Sequence, residues 1–206
     1  MENLSPRGGW IEVITGGMFS GKSEELIRRV RRAEIARQRT QIFKPAIDNR
    51  FDDQRIISRD NRGIDAIAVN NTAALRANLV FGVKVVGIDE IQFFDAPIVD
   101  LCMDLADAGI RVIAAGLDQD YSRRPFGPMP ALMAVAEYVS KMHAVCVRCG
   151  GPAHYSQRVA GGDSQIEVGD VSYEARCRSC YELYHAGETS VDDANADARR
   201  DITTVR

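Results

Sequence analysis

Apolar residues along the chain fall into short β-branched runs, separated by stripes of helical period. Residues 11–15 (IEVIT) form an apolar run that ends in glycines, the pattern of a buried strand. Residues 22–38 predict a helix, with Leu26, Ile27, Val30, Ala33 and Ile35 along one stripe. Residues 40–44 predict a second strand, closed by Pro45. The polar stretch 46–63 has no periodicity and is expected to be a loop over a site. Further on, strands are expected at 65–69, 83–88, 110–115 and 137–145. Helices are expected at 72–80, capped by Asn71 or Thr72, at 96–108, stopped by Gly109, and at 128–135. This alternation implies a parallel sheet with helices on both faces, and such sheets bind ligands at the carboxyl ends of their strands.

The pattern changes at Cys146. Beyond it the chain is rich in Gly, Cys and Arg, with short strand-like pieces at 153–159, 165–168 and 171–176. The expected organisation is an α/β nucleotide-binding domain over 10–145 and a small second module over 146–186. The polar tail 187–206 lacks large apolar groups and is expected to be disordered. No internal repeat is present.

Composition narrows the class. With 206 residues and 45% hydrophobic content the chain can bury a core. A net charge of −3 gives no global basic field for nucleic acid or acidic membranes. The local cluster at 28–39 (RRVRRAEIARQR) reads first as the solvated face of a helix and second as a polyanion site. No apolar run approaches the roughly 20 residues of a membrane span, and the start MENLSPRGG has no apolar core of a secretory signal. A cytoplasmic location is expected, where paired cysteines favour metal over disulfide.

Four features carry chemistry. The segment GGMFSGKS, residues 16–23, matches the phosphate-loop pattern between a strand and a helix. Gly16 and Gly21 allow the backbone to curl so that N–H groups point inward. Lys22 reaches terminal phosphates, and Ser23 offers its hydroxyl to Mg²⁺. A plain glycine turn is the alternative. Asp89 ends the run VVGID and is placed to serve Mg²⁺, leaving Glu90 to take a substrate proton or to remain a solvated loop residue. Of Phe93 and Phe94, one is expected to line a pocket for a planar ligand and the other to pack the core. Cys146, Cys149, Cys177 and Cys180 form two CxxC pairs, the ligand set of a tetrahedral structural Zn²⁺ with no open position. The loop between the pairs, with Gly161 and Gly162 at its tip, could close over a ligand, or the ribbon could merely pack or bind a partner. Cys102 is read as a buried free thiol.

Taken in order, GGMFSGKSEELIRR, FKPAIDNRF, SRDNRG, IDEIQFFD, GLDQDYSRRPFG, KMHAVCVRCGGPAHYSQR and YEARCRSC resemble the zinc-containing thymidine kinases, the type shared by many bacteria and the animal cytosolic enzyme. The resemblance covers about residues 10–185. It implies a RecA-like phosphate-loop NTPase fold with a zinc-ribbon-like lasso, and transfer of the γ-phosphate of ATP to the 5′-hydroxyl of thymidine or deoxyuridine. ATP contacts are then expected from Gly16, Gly17, Met18, Phe19, Ser20, Gly21, Lys22, Ser23, Asp89, Glu90, Ile91 and Gln92, with Glu90 as the base. Met18, Phe93, Leu117 and Tyr121 match the walls of the thymine pocket. Ser156, Ile166, Glu167, Val168, Gly169 and Tyr173 match the lasso contacts. Tyr121 stands where the family usually has Phe, so its hydroxyl needs a partner. The stretch 163–172 is shorter than in the animal enzyme. The segment 58–63 departs from the common Ser-His-Asp-Gly pattern at Arg59 and Asp60. Arg50 or another arginine of 50–62 is a candidate to neutralise phosphate oxygens. The resemblance also implies a homotetramer inhibited by thymidine triphosphate, with neither nucleic acid nor membrane as partner. The rival is a nucleic-acid-stimulated ATPase carrying a zinc ribbon. The chain's length, acidity and missing basic track speak against it. An ATP-sensing zinc adaptor is the non-enzymatic alternative.

Overall fold

The computed structural model describes residues 8–47, 55–57, 63–160 and 173–182. The expected strands at 165–168 and the tail 187–206 lie outside the described residues. Six strands form one sheet: β1 (Trp10–Thr15), β2 (Thr40–Pro45), β5 (Ile67–Val69), β6 (Val85–Ile88), β7 (Arg111–Gly116) and β8 (Tyr138–Lys141). Their order is β5-β2-β6-β7-β1-β8, and every pairing is parallel. This is the expected doubly covered α/β sheet, and β7 separates the phosphate-loop strand β1 from β6. Among the described residues, four helices accompany it: α1 (Lys22–Ile35), α2 (Thr72–Ala77), α3 (Ile98–Asp107) and α4 (Met129–Val135).

Alternation along the strands supplies both faces. Ile11 and Val13 of β1, with Val112 and Ala114 of β7, join Leu101 and Leu105 of α3 on one face. Ile14, Ile113 and Ala115 point the other way, against Leu26, Ile27 and Val30 of α1. Each fully buried aliphatic side chain here contributes roughly 1.5–3 kcal/mol by leaving water. Gly87 of β6 faces α1, where a Cβ would make close contact, 3.4 Å, with both Leu26 and Val30. The N-cap expectation for α2 resolves to Asn71, whose side chain accepts the Ala74 N–H at 2.8 Å.

Glu12 is a charged side chain buried on the α1 face. Glu12 of β1 accepts Arg29 Nη1 at 2.8 Å, Arg111 Nε at 2.6 Å and Trp10 Nε1 at 2.6 Å. Burial alone would raise its pKa. Hydrogen bonds from Arg111, Trp10 and Arg29 outweigh that and hold the carboxyl below its ordinary value.

Three expectations change. The stretch 46–63 is not all loop: β3 (Arg55–Ile57) pairs antiparallel with β4 (Gly63–Asp65). The helix expected at 96–108 starts at Ile98, and a short 3-10 turn, Ile91–Phe93, precedes it. The single strand expected at 137–145 is two, β8 and β9 (Ala144–Val145), because the chain there leaves the large sheet. β9 pairs with β10 (Pro152–Ala153), and β11 (Tyr155–Arg158) pairs with β12 (Tyr173–Arg176), both antiparallel. Among the described residues no helix is long and apolar enough to cross a membrane.

Candidate active site

The loops after β1, β6 and β7 leave the same edge of the sheet, because all three strands run parallel. The first is the glycine loop. Gly16 has φ 141°, Gly21 φ 83° and Phe19 φ 66°, so the backbone turns through left-handed conformations before α1 begins. Ser20 donates its hydroxyl proton to Gly17 O at 2.8 Å, and Lys22 Nζ donates to the same oxygen at 2.8 Å. Lys22 is buried, while Ser23 is partly accessible at the start of α1.

The loop also touches the cysteine module. Ser156 accepts the Met18 N–H at 2.9 Å, and a Cβ on Gly17 would stand 3.1 Å from His154 O. Phe19 packs against the small cluster Ala144, Cys146, Ala153 and Ala175. Two loop residues expected at the nucleotide, Met18 through its N–H and Phe19 through its ring, thus also anchor the module. Ser156, expected against the substrate, has its hydroxyl on the Met18 N–H.

After β6 stand Asp89 and Glu90. Asp89 is 4% exposed and accepts the Glu90 N–H at 3.0 Å. Glu90 is half-buried in left-handed backbone, φ 47° and ψ 40°, which non-glycine residues adopt uncommonly. Gln92 Nε2 donates to Glu90 Oε2 at 2.5 Å, and Gln92 Oε1 accepts the Leu117 N–H at 3.0 Å. Ile91 is fully buried in the core.

The two phenylalanines differ in burial. Phe94 is 7% exposed within the core, and Phe93 is half-buried. Phe93 meets Phe126 edge to face, with centroids 5.6 Å apart at 87°. Phe126, in the PFG segment, was not singled out by the sequence, and its contact with Phe93 is visible only in the fold. After β7, Leu117 is half-buried and Tyr121 lies beneath the Arg158 guanidinium, 3.8 Å from the ring centroid. Arg158 is fully buried and donates to the Tyr173 hydroxyl at 2.6 Å. Tyr181 donates its hydroxyl proton to Tyr121 O at 2.5 Å, which ties the end of the module to the same loop. Burial raises the pKa of that hydroxyl, so it stays a donor at neutral pH. Ile166, Glu167, Val168, Gly169, Gly161, Gly162, Arg50, Arg59 and Asp60 lie outside the described residues.

Cys146, Cys149, Cys177 and Cys180 bring four sulfurs within 4.8 Å of one another. The Cys149 and Cys177 sulfurs are 3.6 Å apart. A disulfide would need about 2.05 Å. Four thiolates at about 2.3 Å around a tetrahedral ion stand roughly 3.8 Å apart, so the cluster fits a metal ion. Cys102 is fully buried in α3, and burial pushes its thiol up to about 12, leaving it protonated and inert.

The comparisons agree with this geometry. The family model described as thymidine kinase matches residues 9–181. A thymidine kinase of Rhodothermus sp. is 50% identical over 191 residues, 92% of this chain and 89% of the relative. That of Bdellovibrio bacteriovorus is 56% identical over 171 residues, 82% and 84% of the two chains. One from Porphyromonas gingivalis is 53% identical over 178 residues, 86% and 87%. With its phosphate loop, its acidic corner and its four-cysteine cluster all inside the matched region, this chain belongs to the thymidine kinase family.

Proposed function

We propose that the chain is an ATP-dependent nucleoside kinase that transfers the γ-phosphate of ATP to the 5′-hydroxyl of thymidine or deoxyuridine. One observation carries this reading. The phosphate loop, the Asp89–Glu90 corner and the aromatic pair Phe93 and Phe126 leave one sheet edge together, as phosphoryl transfer to a planar substrate requires.

In this reading Gly16, Gly21 and the start of α1 present N–H groups to the phosphates, and Lys22 turns from Gly17 O to the β- and γ-phosphates. Ser23 and Asp89 offer hard oxygen donors suited to Mg²⁺, which neutralises phosphate charge when bound. Glu90 orients the nucleoside hydroxyl and accepts its proton. Met18, Phe93, Leu117, Phe126 and Tyr121 wall the base. Residues 146–186 act as the lasso, closing over the base through backbone groups and limiting ATP hydrolysis by excluding water. The four cysteines hold Zn²⁺ as a structural ion, because a Cys₄ set leaves no open coordination position. The same reading includes feedback by thymidine triphosphate, a homotetramer and a cytoplasmic location. The exposed Tyr138 and Val139 on outer strand β8 support self-association.

A panel of nucleosides with ATP, read as monophosphate formed, tests the reading. Thymidine and deoxyuridine are expected to be the preferred acceptors. ATP hydrolysis stimulated by nucleic acid without monophosphate would overturn it. Glu90→Gln should lower turnover by roughly 10²-fold while leaving ATP binding intact; near-normal turnover sinks the role of Glu90.

A further inference from the structure

Gln92 stands between the two parts of the acceptor site. It lies in the 3-10 turn after β6 and is 2% exposed. Its amide is used at both ends, Nε2 towards Glu90 and Oε1 towards the Leu117 N–H. A buried amide satisfied at both ends is held in one orientation, since turning it over would leave a donor facing a donor.

Two glycines keep its space open. A Cβ on Gly116 would lie 2.5 Å from Gln92 Oε1, and one on Gly127 would lie 2.2 Å from the Gln92 main-chain oxygen. Gly127 also has φ 51°. The backbone on both sides is therefore shaped around this side chain and this turn. Glu90, by contrast, is a long side chain on a left-handed residue at the rim. A free glutamate has several rotamers, and proton transfer tolerates little error in position.

Gln92 is expected from the family resemblance among the ATP contacts, but its side chain faces the acceptor side. We propose that Gln92 is a positioning residue, which fixes the Glu90 carboxylate relative to the Leu117 main chain and so sets the base against the nucleoside pocket. The inference rests on the proposed role of Glu90. In this role Gln92 acts through Glu90, to which its side-chain amide donates.

Two substitutions separate its ends. Gln92→Glu keeps an acceptor for the Leu117 N–H but removes the donor to Glu90. Gln92→Met removes both. With thymidine and saturating ATP, Gln92→Glu should lower kcat about tenfold and change thymidine KM by less than about twofold, as for a group felt mainly in the transition state. Gln92→Met should lower kcat similarly and also raise thymidine KM. In a Glu90→Gln background, Gln92→Glu should cost less than about twofold more, because the group it positions is gone.

A tenfold loss in both backgrounds means that Gln92 acts apart from Glu90 and overturns the proposal while leaving the base intact. Unchanged kcat in both Gln92 variants overturns it equally. Unchanged kcat in Glu90→Gln alone removes the base itself and the proposal with it. If the Gln92 variants fail to fold, Gly116→Ala serves instead, because its methyl displaces the far end of the Gln92 amide. It should lower kcat with Glu90 present and not in Glu90→Gln. An equal effect in both, or no effect in either, overturns the proposal.

Discussion

Val13, Val112 and Leu101 sit at 0% exposure among aliphatic neighbours in the α/β body, whereas the centre of the cysteine module is Ala144, Cys146, Ala153 and Ala175. The body is held by burial on two sheet faces. The module has too little apolar volume for that. It relies on the cysteine cluster and on polar ties: the Tyr121–Arg158–Tyr173 stack, the Tyr181 hydroxyl on Tyr121 O and the Ser156 hydroxyl on the phosphate loop. Small units without a core need such staples, and metal binding then becomes folding energy. The cysteine module is thus the part least able to fold by itself.

Metal removal should break this contrast most strongly. A chelator, or Cys177→Ser, is expected to strip hydrogen-exchange protection from residues 144–158 and 173–182 while the six-stranded sheet keeps its own. Protection at the Met18 amide should fall with the module, because Ser156 is its acceptor. Equal loss of protection in sheet and module, or none in either, would end the idea that the two are held by different means.

Leu101→Ala probes the other side. A fully buried leucine truncated in a packed core costs roughly 2–5 kcal/mol, and denaturant unfolding of the sheet should report it. Metal content should stay the same. A loss of metal with the same substitution would show that the module borrows its stability from the core.

Acid gives the smallest and most graded effect. Glu12 and Glu25 both ionise more readily in the folded chain than their ordinary value of 4.5. For Glu25 the Arg28 hydrogen bond is the largest cause, and the carboxyl is lowered to about 2. A lowered folded value means a stabilising contribution present above 4.5 and lost as pH falls below it, for Glu25 towards about 2. Thiolate ligands are protonated at milder acidity, so metal release should precede this decline of the body. Glu12→Gln should flatten the decline; the same slope as the unsubstituted chain would contradict it.

Much of the body was legible because its signals are local. IEVIT, VVGI and RVIAAG are apolar runs ended by glycine or Asp, and the stripe from Leu26 to Ala33 has helical period. The β3–β4 hairpin was not legible, because each strand has only three residues, too few for a period to register. The split of 137–145 into β8 and β9 depends on where the chain changes sheet, which Met142 and His143 do not announce. At the site, the cysteine pairs and the glycine loop were readable from spacing. Arg158 was not: a charged residue in a strand normally marks the solvent face, and here two tyrosines cover it instead. Gln92 gave no signal of its own, since its meaning comes from Leu117, 25 residues further on.

The Met18–Ser156 contact spans 138 positions of chain. During synthesis the phosphate loop leaves the ribosome early, at the end of the first strand, whereas its clasp is among the later parts made. Chains are built from the amino end at about 5–20 residues per second, so the gap is on the order of ten seconds. Through most of that interval the glycine loop also lacks a sheet around it, because among the described residues β1 pairs only with β7 and β8, which are made more than ninety residues later.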